Sequence, residues 1–455
     1  MFAPTELRTR LDRLTLPADA AICVAFSGGL DSTVLLHSLA RLSAGQGSYR
    51  LRAVHIDHGL HADSAKWREH CEQQARSLQI EFATVRVAVE RIDEVGLEAA
   101  ARDARYAALR NILRAGEYLL SAHHADDQLE TMLFALMRGA GLAGLSAMPA
   151  TQPFANGWLV RPLLDFTRAE LEVWARAEGL TWLSDPSNDN LSLDRNFLRK
   201  KIVAPLRERW PAAALTASRS AEHLQEAGRA LEQLAEIDAE HAVRGECLDV
   251  EYLRPLDAER RRNLLRHWIR RRGARAPSTR KLAAIEHDML AAAEDRVPCM
   301  GWDRWEIRRH RGLLYCERQL PELVLDQALE WQARAPLTLP GGLGQLRLDV
   351  GADGGLNPAK LATTLSVRFR AGGESVQLAG DAFHRKLKKL LQSAAILPWW
   401  RDRLPLIYSD GQLVAVGDLW IAADFAAHQG EPASAIVWQD RPHIQSTATG
   451  KSVDR

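Results

Sequence analysis

The chain reads as an α/β protein: an N-terminal doubly wound parallel sheet, then a helical domain, then a small mixed α/β C-terminal domain. Three observations carry that reading. From Ala21 to about Leu164, apolar strand-like runs alternate with helical patterns, as in a parallel sheet wrapped by helices. At Pro211 the periodicity turns helical, and from Pro336 onward Pro, Gly and short β-like runs take over. A chain of 455 residues exceeds what one core organises, and the changes of pattern divide it at 1–212, 213–330 and 331–455.

Taken in order, residues 1–16 interleave Arg8, Arg10 and Arg13 with Leu7, Leu11, Leu14 and Leu16, an amphipathic helix rather than the apolar block of a signal peptide. Strands are expected at 21–26, 51–56, 81–87 and 118–122, with helices directly after the first strand and over 64–78 and 98–113. In the second domain Leu224, Leu231 and Leu234 form one helical stripe, and Leu264, Leu265, Trp268 and Ile269 another. The third domain is expected to have strands at 345–350, 365–370 and 413–416, a helix near 383–391 and a frayed polar tail at 445–455.

A hydrophobic share of 46% and a charged share of 26% suit a soluble globular chain, and no apolar stretch approaches bilayer length. A cytoplasmic protein with no membrane partner is expected. Cys23, Cys71, Cys247, Cys299 and Cys316 are odd in number and contain no Cys-x-x-Cys pair, so neither a disulfide framework nor a zinc knuckle is indicated. A net charge of +1 gives no global attraction to nucleic acid, so an RNA partner would depend on local basic patches. The assembly stays open, a homodimer included.

The densest chemistry lies where the first strand ends, in Ser27-Gly28-Gly29-Leu30-Asp31-Ser32. Paired glycines let the backbone approach an anion, and the amides opening the next helix point their N–H groups at it. The loop lacks the Gly-Lys-Ser/Thr ending of a kinase-type phosphate loop, and Asp31 sets a carboxylate beside the anion instead. Two like charges at that spot imply an intervening Mg²⁺ on Asp31. Ligands of such sheets bind beyond the carboxyl ends of the strands, where 55–59 and 123–130 also lie, so the three segments should converge.

Together with that loop, the stretches Val54-His55-Ile56-Asp57-His58-Gly59-Leu60, Ala122-His123-His124-Ala125-Asp126-Asp127-Gln128-Leu129-Glu130-Thr131, Asp185-Pro186-Ser187-Asn188 and Arg195-Asn196-Phe197-Leu198-Arg199 resemble the PP-loop ATP pyrophosphatases. Within them the resemblance is to the tRNA(Ile)-lysidine synthetases, over nearly the whole length. Phe383-His384-Arg385-Lys386-Leu387-Lys388-Lys389-Leu390 is similar to the terminal domain of the longer members. The resemblance implies an adenine nucleotide α-hydrolase-like sheet, and ATP and Mg²⁺ as cofactors. It also implies L-lysine and the CAU-anticodon tRNA(Ile) as partners. The implied reaction ligates lysine onto carbon-2 of the wobble cytidine through an adenylated base, releasing pyrophosphate and AMP and shifting the codon read from AUG to AUA. A thiolase of the same superfamily and a tRNA-binding homologue without chemistry are the alternatives. A thiolase would want a reactive cysteine pair, which the chain does not offer.

The implied roles fall on particular residues. Ser27, Gly28, Gly29, Leu30, Asp31, Ser32, His55 and Asp57 are assigned to ATP, although His55, His58 and His61 also allow a zinc reading. Asp127 and Glu130 share one helix face and suit a cationic ligand such as lysine, while carboxylates at a helix start also serve the dipole. Arg102 and Arg105 are candidates for lysine's carboxylate. Arg195 is placed to act in catalysis with Asp31, Asp127 and Glu130, and Arg199 to meet RNA phosphate. Further RNA contacts are expected from Arg266 and Arg270 in the arginine-rich run 260–275, which reads as too dense to serve folding, and from Arg385, Lys386, Lys388, Lys389, Arg401 and Arg403. Glu251 and Glu259 are acids that would balance the arginine run if it were only a solvated face. Trp399 and Trp400 either stack on bases or pack, with packing expected for at least one.

Overall fold

The computed structural model describes residues 1–45, 49–61, 63–90, 92–184, 190–293, 296–323, 328–351 and 355–446, so the Asp185-Pro186-Ser187-Asn188 motif lies outside the described residues. The chain forms two compact units, Met1–Ala230 and Leu231–Arg455.

In the first unit the strands are β1 (Ala21–Ala25), β2 (Arg50–Asp57), β3 (Glu81–Arg86), β4 (Tyr118–Leu120), β5 (Thr151–Phe154) and β6 (Gly157–Val160). They make one sheet in the order β3-β2-β1-β4-β6-β5, parallel throughout except for the edge strand β5. Ile22, Cys23 and Val24 of β1 are fully buried, because helices cover the sheet on both faces and such a strand needs an unbroken apolar run. One face is packed by α1 (Pro4–Arg13), α2 (Leu30–Ala44) and α8 (Arg168–Ala177) through Leu7, Leu11, Leu35, Leu36, Leu39 and Leu171. The other is packed by α5 (Leu97–Ile112) through Leu109. From β1 the chain builds outward to β2 and β3 on one side and later to β4 and β6 on the other. That reversal opens a crevice at the strand ends between β1 and β4, where α2 and α6 (Ala125–Met137) begin.

The second unit departs from the expected helical domain. Besides α13 (Ala258–Arg271) and α14 (Thr279–Ala291) it contains an antiparallel sheet in the order β7-β8-β11-β10-β9, formed by Val243–Arg244, Cys247–Asp249, Leu313–Arg318, Trp305–His310 and Cys299–Trp302. Charged residues such as Arg308 and Arg309 interrupt the alternation that would have marked β10 as a strand. The remainder is largely β, with an antiparallel sheet in which Leu329–Trp331, Leu365–Arg368, Leu406–Ser409, Gln412–Val416 and Trp420–Ile421 lie side by side in that order.

The helix expected near 383–391 begins later, as α15 (Leu387–Ser393). Arg385 and Lys386 instead form a short strand paired with Ser375–Val376, which takes their backbone out of the helix. Leu387, Leu390 and Leu391 are buried as the stripe requires. At the expected tail, Gln445 bridges to Ile396 and the Ser446 hydroxyl lies 2.8 Å from that of Tyr315, so these two residues are held; 447–455 lie outside the described residues.

Candidate active site

The loop after β1 is shaped by Gly28, whose φ of +78° lies in the left-handed region. A Cβ there would sit 2.8 Å from Cys71 Sγ and 2.9 Å from Leu183 Cδ1, so conformation and space both require glycine. Leu183 N–H donates to the Gly28 carbonyl at 2.8 Å, and Ser32 Oγ donates to the Gly29 carbonyl at 3.0 Å, 3.1 Å from Ser27 Oγ. Gly29 opens α2 with no side-chain cap, which leaves first-turn amides for an anion. Leu30 is 3% exposed with its side chain in the core, so only its backbone can serve a ligand.

His55 and Asp57 end β2 beside this loop. His55 Nδ1 lies 3.0 Å from the Phe26 carbonyl, and burial pushes its pKa down, keeping the ring neutral. Asp57 Oδ1 accepts the Gly59 N–H at 2.8 Å, fixing the turn that follows. His61 stacks on Trp67 with ring centroids 4.8 Å apart, and among the described residues no three His, Cys, Asp or Glu side chains gather as metal ligands. The geometry gives the zinc reading no support.

The acid cluster is built at the start of α6. His124, 2% exposed, has its Nε2 3.6 Å from Asp31 Oδ2 and 3.5 Å from Asp127 Oδ2, and its Nδ1 3.5 Å from Asp126 Oδ2. Burial opposes its charge, but Asp127, Asp126 and Asp31 outweigh that and the pKa is pushed up to about 10. The side chain is thus an imidazolium joining the phosphate loop to the acids. Sequence reasoning gave His124 no role; its place on the loop between β4 and α6, just ahead of two acids, was the available signal. Its neighbour His123 goes the other way, lowered by burial to about 3, with Nδ1 2.9 Å from Ser121 Oγ.

Asp127 and Glu130 are not vacant. Arg195 donates through Nε to Glu130 Oε2 and through Nη2 to Asp127 Oδ1, both at 3.0 Å. Arg199 donates through Nε to Glu130 Oε1 at 2.6 Å and through Nη2 to Glu130 Oε2 at 3.0 Å. Burial would raise the Asp127 pKa, yet His124, His123 and Arg195 hold it well below the usual carboxylate range. Asp126 supports the cluster from behind, where Oδ2 accepts the Arg168 N–H and Oδ1 pairs with Arg207, each at 2.8 Å. Nothing in the sequence pattern singled out Arg207.

Arg105 is half-buried and has no carboxylate partner among the described residues, and burial lowers its pKa, with Arg102 and Arg195 adding to the effect. Arg102 is exposed, its guanidinium 5.6 Å from the Tyr106 ring centroid.

In the second unit most of the arginine run is neutralised, contrary to the expectation that it exceeds the needs of folding. Arg260 pairs with the fully buried Asp238, Arg261 with Glu286, Arg262 with Glu259, Arg270 with Glu232 and Arg272 with Glu246. Arg266 has no acidic partner among the described residues. Arg385, Lys386, Lys388 and Lys389 are exposed. Arg401 Nε donates to the Ile396 carbonyl and Arg403 Nη1 to that of Pro321. Trp399 and Trp400 are each 8% exposed, and Trp399 packs edge-on against Tyr315 while donating to Glu317. Both tryptophans are therefore packed.

Comparison with known proteins agrees with this anatomy. A PP-loop domain matches residues 4–206, a TilS substrate binding domain 248–315 and a TilS substrate C-terminal domain 365–438. The tRNA(Ile)-lysidine synthase of Alkalilimnicola ehrlichii is 44% identical over 90% of this chain and 92% of its own. The tRNA(Ile)-lysidine synthase of Coxiella burnetii is 40% identical over 94% of each chain, and that of Xanthomonas axonopodis pv. citri 41% identical over 96% of this chain and 98% of its own. With such identity sustained across the PP-loop domain and both later domains, the chain belongs to the tRNA(Ile)-lysidine synthase family.

Proposed function

We propose that the protein uses ATP to activate the carbon-2 oxygen of the wobble cytidine in the CAU-anticodon tRNA(Ile) and then replaces it with lysine. The observation that carries this reading is the single His124 nitrogen lying 3.6 Å from Asp31 and 3.5 Å from Asp127, which sets a phosphate loop and a cation-binding acid pair against one another. Cytosine's carbon-2 oxygen is a poor leaving group. It attacks the α-phosphate, pyrophosphate departs, the lysine ε-amine attacks carbon-2 and AMP leaves. The open amides of α2 bind the phosphates. Asp31 would hold Mg²⁺, since its Oδ1 is buried without a partner, and the ion would offset the charge between that carboxylate and the phosphates.

Free lysine has an amine pKa near 10.4, so less than about one ε-amine in a thousand is neutral at pH 7. Asp127 and Glu130 lie on one helix face and already hold a guanidinium, so the pair suits a cation. Asp127 and Glu130 therefore bind the α-ammonium, Arg105 rather than the exposed Arg102 meets the carboxylate, and the ε-amine gives up its proton to water before it attacks. Mg²⁺-ATP, radiolabelled lysine and unmodified CAU-anticodon tRNA(Ile), with the methionine tRNA as control, test the whole reading. Label in the isoleucine tRNA alone is expected; label in neither, with pyrophosphate still released, would point to a different nucleophile.

In the second unit, the exposed cations of 385–389 are assigned to tRNA phosphates, with Arg266, Arg270, Arg401 and Arg403 as further contacts. Replacing Lys386, Lys388 and Lys389 by Ala should weaken tRNA retention and cut the slope of log affinity against log salt by about 2 to 3, leaving ATP binding as it was. An unchanged slope would remove these lysines from the interface.

A further inference from the structure

Thr131, next after Glu130 on α6, lines a cavity of about 790 Å³ in the first unit. Arg102, Arg110 and Arg161 line it against one acid, Asp103. None of the three arginines has a carboxylate partner among the described residues. Arg161 is only 3% exposed; its Nη1 donates to the Pro149 carbonyl at 2.7 Å and its guanidinium also meets the Tyr106 side chain, while its Nε has no partner. A buried guanidinium short of acceptors is unfavourable until an anion arrives. The wall beside it is aromatic: the Arg110 guanidinium stands 5.3 Å from the Phe154 ring centroid, and Tyr106 meets Phe154 edge-on at 6.0 Å. Fixed cations beside aromatic rings suit a phosphate joined to a flat base. A single amino acid would leave most of this volume empty, whereas a nucleotide falls within the range of clefts that enclose their ligands.

We propose that this cavity receives a nucleotide of the RNA substrate adjacent to the cytidine being modified. Its phosphate lies on Arg161 and Arg110 and its base against Tyr106 and Phe154. The assignment rests on the RNA-modifying reading of the neighbouring cluster. A free mononucleotide carries the same chemistry, so the test separates the two sources.

Arg110→Ala, at an exposed position of α5, and Tyr106→Leu are compared with the unaltered full-length chain. The readouts are tRNA filter retention at several salt concentrations, and KM for ATP and for lysine. Arg110→Ala should weaken tRNA retention about fivefold and lower the salt slope by about one, with both KM values unchanged. A tRNA abasic at the nucleotide before or after the target should bind the wild type more weakly, and at one of those positions should abolish the difference between wild type and Tyr106→Leu. Unchanged retention in both variants would overturn the proposal. So would a rise confined to the KM for ATP, which assigns the cavity to a free nucleotide, or to the KM for lysine, which assigns it to the amino acid. Retention does not require turnover, so a chain that binds tRNA but transfers no lysine refutes the proposed reaction and still decides the subsite.

Discussion

Glu130→Gln is expected to lower lysine transfer to tRNA by about 10²- to 10³-fold, while tRNA-dependent pyrophosphate release falls less than about tenfold. The side chain is 2% exposed and accepts from both Arg195 and Arg199, so the amide keeps the shape and one acceptor oxygen while removing the charge that a lysine ammonium would meet. The two guanidiniums already satisfy Asp127 and Glu130. An ammonium joining the cluster must replace part of those contacts, and one negative charge fewer makes that exchange unfavourable. Arg195→Ala should act on the other half of the reaction, lowering pyrophosphate release more than ATP affinity, because its guanidinium sits on Asp127, which His124 joins to Asp31 of the phosphate loop. Separate assays of pyrophosphate and of labelled lysine distinguish the two variants. Equal losses of both signals in Glu130→Gln would show that the acids serve only to anchor the arginines.

The way these residues meet explains what could be read from the sequence. Ser27 to Ser32 was legible because strand, loop and helix are local, and the two glycines answer a local demand for backbone freedom and space. Asp127 and Glu130 were legible as an acid face, since that depends only on helical spacing. Their partners were not. Arg195 and Arg199 lie 65 to 72 residues away, and only the folded chain shows that the predicted lysine site and the predicted phosphate contacts are one ion-paired cluster. The same limit applies to the ion pairs of 260–275. The acids that neutralise Arg260, Arg261 and Arg270 come from other helices, at Asp238, Glu286 and Glu232. Strands of two to six residues carry too little periodicity to announce the sheet β7-β8-β11-β10-β9.

The largest effect on stability is expected from Glu117→Ala, which should destabilise the first unit by about 3 to 5 kcal/mol by stranding the buried Arg52. Arg52 on β2 donates through Nε to Glu117 Oε1 and through Nη2 to Oε2, both at 2.6 Å, with side chains 7% and 5% exposed. Glu117 Oε2 also accepts the Arg114 N–H at 2.8 Å, so the carboxylate ties β2 to the turn preceding β4. Burial would raise the Glu117 pKa, but Arg52 and the Arg114 amide together lower it. Its stabilisation is therefore complete above the ordinary glutamate pKa and is lost as pH falls through the depressed one. The wild type should lose its advantage over Glu117→Ala on acidification below about pH 4. Hydrogen exchange of the β2 amides reads this region directly in a chain of two units, where a single unfolding midpoint would not. Replacing Arg52 and Glu117 together by Met should recover much of the loss, because no buried charge is then left alone. If the single variant exchanged no faster than wild type, or the double variant exchanged as fast as the single, the pair would not be what ties β2 to the turn before β4.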